Sequence, residues 1–120
     1  MHVLLVDDDQ WLSERFAQTL KRAKYSVSIS RNGIEAIDAI DKQKPDVVVL
    51  DLFMPGPNGV VLLHELQSHT DLADIPVVLC SNSAGEVLFD TVEPYGVRVI
   101  LDKTTMEPAD LVSAVRKVTL

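Results

Sequence analysis

Short runs of Val, Ile and Leu alternate along the chain with segments of helical period, and this alternation limits the fold more than any other feature. The runs are Val3–Val6, Val27–Ile29, Val47–Leu50, Val77–Cys80 and Val97–Leu101, which read as five strands. Elsewhere apolar residues recur every three or four positions: Leu12, Phe16, Leu20 and Ala23; Ile34, Ile37 and Ile40; Val61, Leu62 and Leu66; Val87, Leu88 and Val92; Leu111, Val112, Val115 and Val118. That spacing predicts five amphipathic helices. The breaks agree, with Asn32-Gly33 opening the second helix and Pro45, Pro76 and Pro94 to Gly96 preceding the last three strands. Strict alternation of strand and helix predicts a parallel sheet covered on both faces.

Composition assigns the strands to places. The first, third and fourth runs are unbroken and suit central positions buried on both faces. Ser26-Val27-Ser28-Ile29-Ser30 alternates and the fifth run carries Arg98, so the second and fifth belong at the edges. Order 2-1-3-4-5 satisfies this and gives a flavodoxin-like, three-layer (βα)5 fold with a switch point between strands 1 and 3. At 120 residues with 47% hydrophobic content, residues 1–120 are expected to form a single domain. Eleven basic residues against 18 acidic ones leave a net charge of −7 with no Lys/Arg cluster, which argues against direct binding of nucleic acid or anionic lipid. No signal peptide or apolar stretch long enough to span a membrane is visible, so a cytoplasmic location is expected. The lone Cys80, inside an apolar strand, reads as a small buried hydrophobe.

Ligands of open α/β sheets bind outside the carboxyl ends of the strands, at the switch point. Strand 1 runs into Asp7-Asp8-Asp9, strand 3 into Asp51, strand 4 into Ser81 and strand 5 into Asp102-Lys103. Asp9, Asn82 and Ser83 read most simply as helix caps or solvated residues. Asp7, Asp8 and Asp51 are different, because the strand order brings all three to one crevice. Two carboxylates about 4 Å apart repel by about 4 kcal/mol at an effective dielectric near 20, so a cation is expected among them. An all-oxygen set favours a hard ion, Mg²⁺ over Ca²⁺. His2 starts strand 1 at the opposite end, and His64 and His69 are placed on the third helix at a spacing of five, which makes zinc improbable.

Asp7-Asp8 after an apolar strand, Asp51 closing "VVVLD", the "MPGPNG" loop, Ser81 closing "PVVLCS" and Lys103 closing "VILDK" together resemble the phosphoacceptor receiver domain of two-component response regulators. The resemblance runs through essentially the whole chain. It implies that Asp51 accepts a phosphoryl group from a phosphohistidine, on a sensor histidine kinase or a histidine phosphotransfer protein, and passes the signal to a downstream effector domain or protein. It also implies Mg²⁺ held by Asp7 (mostly through water), Asp8, Asp51 and the backbone oxygen of Phe53, with Lys103 and Ser81 binding phosphoryl oxygens. The expected readout surface is the fourth helix, fifth strand and fifth helix. Charge-assisted bonds from Ser81 and Lys103, each worth about 1.5–3 kcal/mol, would together approach the roughly 5.5 kcal/mol that turns a 1:99 equilibrium into 99:1.

Departures from the family pattern bear on function. Thr104 stands where a proline usually follows the lysine, so a trans Lys103–Thr104 bond and a shifted loop are expected. Ile100 stands where an aromatic switch residue is common, which puts aromatic switching in doubt. Asn82 replaces the usual small residue. Phe53 sits where polar side chains often help position water, which predicts slow self-dephosphorylation and no enzymatic turnover. Two alternatives follow: a pseudo-receiver interaction module, favoured by the missing proline and aromatic, or an aspartyl-phosphate phosphatase, disfavoured because Phe53 occupies the place of that family's second acid. Thr104 or Thr105 is expected to cap the last helix, with Pro108 in its first turn. Trp11, off the apolar stripe of the first helix, either borders the acidic site or covers a flank, and Met54 reads as loop packing.

Overall fold

The computed structural model describes residues 1–51, 59–81 and 92–119. Five parallel strands, β1 (His2–Val6), β2 (Ser26–Ser30), β3 (Val47–Asp51), β4 (Val77–Ser81) and β5 (Val97–Asp102), form one sheet in the order β2-β1-β3-β4-β5. Helices α1 (Gln10–Arg22), α2 (Gly33–Lys42) and α3 (Gly59–Ser68) and the C-terminal helix (Pro108–Val118) cover it, with a short 3-10 turn at Glu93–Tyr95. The fourth helix expected around Val87 and Leu88, the "MPGPNG" loop with Phe53 and Met54, and Asn82 and Ser83 lie outside the described residues.

Pleating explains the three layers, because successive side chains of a strand leave on opposite faces. Val3 and Leu5 of β1, Val47 and Val49 of β3, and Val78 and Cys80 of β4 pack with Phe16, Ala17 and Leu20 of α1 and Leu111 and Val115 of the C-terminal helix. Their neighbours Leu4, Val6, Val48, Leu50, Val77 and Leu79 pack on the other face with Ala36, Ile40, Leu62, Leu63 and Leu66. Every residue of β1, β3 and β4 is buried. The edge strands differ as expected: Ile29 of β2 is 40% exposed and Arg98 of β5 is exposed.

Asp9 caps α1 by accepting the Leu12 N–H at 3.0 Å, and Asn32 caps α2 by accepting the Glu35 N–H at 2.9 Å, each satisfying a donor the helix cannot. Three helix readings need correction. In α2 the buried face is Gly33, Ala36 and Ile40, whereas Ile34 is 59% exposed; the small residues let the helix approach the sheet, and Ile34 falls on the outer side of the turn. The cap of the C-terminal helix is Glu107 rather than Thr104 or Thr105, and its N–H donates to Asp110 Oδ2 at 2.8 Å. Pro108 does occupy the first turn, where its missing N–H costs nothing. His69 lies just beyond the end of α3 rather than on it. Cys80 is buried, 2% exposed, near the carboxyl end of the inner strand β4.

Candidate functional site

β1 and β3 are neighbours, and both run in the same direction, so Asp7 and Asp51 emerge side by side at their carboxyl ends. Asp51 continues the parity of Val47 and Val49 and therefore leaves the sheet on the side of α1 and the C-terminal helix. Asp7 is 6% exposed and Asp51 9% exposed, while Asp8 stands in solvent. One carboxylate oxygen from each of the three lies within 4.8 Å of the others. Charges at that separation repel by about 3.5 kcal/mol per pair at an effective dielectric near 20.

Lys103 answers part of this repulsion. Its Nζ donates to Asp7 Oδ2 at 2.5 Å and to Asp51 Oδ2 at 3.2 Å, with the lysine side chain only 6% exposed. Burial alone would lower the pKa of Lys103, but hydrogen bonding and attraction from Asp7 and Asp51 outweigh it and hold the ammonium above its ordinary 10.5. For Asp7 the balance tips the other way. Burial pushes its carboxyl above 3.8, and the repulsion of Asp51 adds to that, against the pull of Lys103 and of the Asp9 N–H donated to Oδ1 at 2.9 Å. Both members of the pair shift upward, Asp7 because burial outweighs the pull of Lys103, and Lys103 because two carboxylates face it. A raised carboxyl lowers stability as pH climbs past 3.8 and the unfolded chain ionises first.

The set is all oxygen, is crowded with negative charge and has an open side at Asp8. These are the properties of a site for a hard divalent cation rather than for zinc. Of the other residues expected at this rim, Ser81 is fully buried at the end of β4, and its carbonyl accepts the Lys103 N–H at 3.0 Å. Phe53 lies outside the described residues. The Lys103–Thr104 bond is trans, as expected, since no cis peptide occurs among the described residues. Ile100 packs against the core cluster of Leu79 and Val97. Trp11 is 65% exposed with the Arg15 guanidinium 4.7 Å from its ring centroid, a flank position stabilised by a cation–π contact.

Sequence reading missed two polar groupings. At the opposite end of the sheet, the His2 ring nitrogens sit 2.8 Å from Ser26 Oγ and 3.1 Å from Ser28 Oγ. Next to the site, the Asp102 carboxylate accepts both the N–H and the hydroxyl of Thr104, at 2.8 and 2.6 Å. An Asp two residues ahead of a Thr at a strand end is the visible signal for such a turn.

Comparison with known proteins agrees with this geometry. The family model of the response regulator receiver domain matches residues 3–116. Response regulator MprA of Mycobacterium avium (strain 104) is 36% identical over 86 residues, which cover 72% of this chain and 38% of that protein. A putative response regulator from Chloroflexus aurantiacus J-10-fl superposes with a TM-score of 0.85 at 28% identity, covering 98% of this chain and 96% of the other. The signal receiver domain of a signal transduction histidine kinase from Syntrophus aciditrophicus gives a TM-score of 0.84 at 27% identity, covering 98% and 89%. Among the described residues no helix is long and apolar enough to cross a membrane. Sheet order, the acidic cluster at the switch point and a family match over nearly the full length converge: the chain belongs to the response regulator receiver domain family, the signalling module of two-component systems.

Proposed function

We propose that residues 1–120 act as one phosphorylation-operated receiver, with Asp51 as phosphoacceptor, Lys103 and Ser81 as phosphoryl-binding groups and Asp7, Asp8 and Asp51 as the cation site. The observation that carries this reading is the Lys103 ammonium set between Asp7 and Asp51, with Asp8 in the same oxygen cluster. In the transfer an Asp51 carboxylate oxygen attacks phosphorus, the P–N bond of a phosphohistidine breaks, and the imidazole leaves with the bond's electron pair. The product is an acyl phosphate. Mg²⁺ held by Asp7, Asp8, Asp51 and the Phe53 backbone oxygen would offset charge on the phosphoryl oxygens.

Lys103 contributes a compact, fixed positive charge for a phosphoryl oxygen, and its place immediately after β5 ties that contact to the edge of the sheet. Ser81 stands at the end of the adjoining β4. New bonds at these two roots would be read on the expected fourth helix, β5 and the C-terminal helix. The donor in this reading is a histidine kinase or histidine phosphotransfer protein, and the recipient is an effector domain or protein. Incubation with phosphoramidate and Mg²⁺ followed by intact-mass measurement tests it. A single phosphoryl adduct that is absent in Asp51→Asn is expected, and no adduct on folded wild-type protein would leave the interaction-module reading in its place. An acyl phosphate that persists well beyond seconds is expected from Phe53, and a half-life of seconds would remove that part of the proposal.

A further inference from the structure

We propose that Asp102 and Thr104 form a turn clamp that positions the Lys103 ammonium between Asp7 and Asp51, making both of them positioning residues for the site. Lys103 reaches carboxylates that are 96 and 52 positions away in sequence. Its side chain has four flexible methylenes and a strongly hydrated head, so a fixed ammonium position depends on a fixed root.

The root is held from both sides. Before it, the Lys103 N–H donates to the Ser81 carbonyl at 3.0 Å and extends the β4–β5 ladder. After it, the next three N–H groups all turn back to one residue. Thr104 N donates to Asp102 Oδ1 at 2.8 Å. Thr105 N and Met106 N donate to the Asp102 carbonyl at 3.2 and 2.9 Å. Thr104 Oγ1 adds a fourth bond, to the same Oδ1, at 2.6 Å. The two bonds from Thr104, the hydroxyl's first and then the N–H's, hold the Asp102 carboxyl below its ordinary range, so the carboxylate form is the one that closes the turn.

The identity of residue 104 matters to this device. A proline there would have no N–H to donate. Threonine supplies two donors to one oxygen, a local side-chain-to-backbone closure of the Asx type. The trans Lys103–Thr104 segment is thus held by hydrogen bonds instead of by a ring.

The consequence for phosphoryl transfer rests on the phosphoacceptor reading above, whereas the position of the ammonium does not. The first test is therefore the nitrogen–proton correlation spectrum of the lysine ammonium groups in the unphosphorylated full chain, with Lys103 assigned by its loss in Lys103→Met. A buried, doubly bonded ammonium exchanges its protons slowly. Asp102→Ala is expected to abolish the Lys103 signal by fast exchange, Thr104→Val to weaken it, and Asp102→Asn and Thr104→Ser to restore it. An unchanged signal in folded Asp102→Ala overturns the clamp; if that variant does not fold, an unchanged signal in Thr104→Val does so.

The second test is the rate of adduct formation from phosphoramidate. Misplacing the lysine in Asp102→Ala is expected to slow it by about tenfold to a hundredfold, with no further loss when the change is added to Lys103→Met. An equal loss in the Lys103→Met background would mean that Asp102 acts by another route. Wild-type protein that takes no phosphoryl group counts against the phosphoacceptor reading alone, and the ammonium spectrum then decides the clamp.

Discussion

The two ends of β1 and β3 handle charge in opposite ways. At the amino ends, the His2 N–H donates to Asp46 Oδ2 at 2.7 Å and the Asp46 N–H returns to the His2 carbonyl at 2.8 Å. The imidazole is bracketed by two serine hydroxyls, and the one carboxylate involved is exposed. That carboxylate faces water, which can solvate the charge its one main-chain partner leaves uncompensated. At the carboxyl ends the two buried carboxylates, Asp7 and Asp51, share one ammonium, and Asp8 joins their oxygen cluster from the solvent side. The strands are the same and their apolar interiors are equally packed. What differs is that one end is balanced and the other retains a negative excess that a cation and a phosphoryl group can resolve together.

The contrast is broken most severely at Lys103. Removing one partner of a buried ion pair strands the other, which costs about 3–5 kcal/mol. Lys103→Met is expected to lose stability on that scale in urea unfolding without divalent ions. Adding Asp7→Asn should then recover most of the loss, because the stranded buried charge is gone. If the double variant is as unstable as the single, the lysine matters through packing rather than charge.

A second effect comes from Cys80, which lies on β4 beside the same rim. Burial pushes its thiol from 9.0 up to about 12. Between those values the unfolded chain releases a proton that the folded chain retains, so stability is complete below pH 9 and declines as pH rises toward 12. Three units correspond to about 4 kcal/mol. Lys103, also raised, adds a loss in the same direction that begins only above 10.5. Cys80→Ala should therefore flatten the decline that starts near pH 9, as followed by urea midpoints. An unchanged alkaline profile would mean that the thiol does not report the burial of the sheet.

Magnesium sharpens the comparison from the ligand side. A cation bound only by the folded state at a hundred times its dissociation constant stabilises by about 2.7 kcal/mol. Wild-type protein is expected to gain on this scale, Asp8→Asn clearly less, and Asp46→Asn as much as wild type. Equal gains in wild type and Asp8→Asn would place the cation elsewhere.

These contrasts were unequally visible in the sequence. The strand order followed from particular residues, since the serines of β2 and Arg98 of β5 cannot be buried on both faces. Once that order held, Asp7, Asp8 and Asp51 had to meet, and Lys103 had to end on the same rim. The misreadings came where short-range geometry had two solutions. Helical period allowed either Ile34 or Ala36 to face the sheet, and close approach selected the smaller side chain. Either threonine could have capped the last helix, but the Thr104 hydroxyl is taken by Asp102, and Glu107 caps instead. The bracketing of His2 depends on the register His2↔Ser26 between β1 and β2, which no local pattern specifies.

Asp46 supplies the smallest expected effect and the most direct check of the balanced end. Its carboxylate makes one short bond, to a main-chain N–H, from an exposed position, and such a bond contributes about 1 kcal/mol net. Asp46→Ala should cost about that much, while Asp46→Asn should cost less because an amide oxygen still accepts. Neither change adds or removes charge at the other end of the sheet, so the rate of adduct formation at Asp51 should stay as in wild type. A cost matching that of Lys103→Met would show that the amino end also holds buried charge under tension. A slower adduct in Asp46→Ala with the Lys103 ammonium signal intact would show that the two ends are coupled through β1 and β3. The apolar interior of those strands, buried at every residue, separates the polar groups of the two ends, so each end is expected to bind on its own.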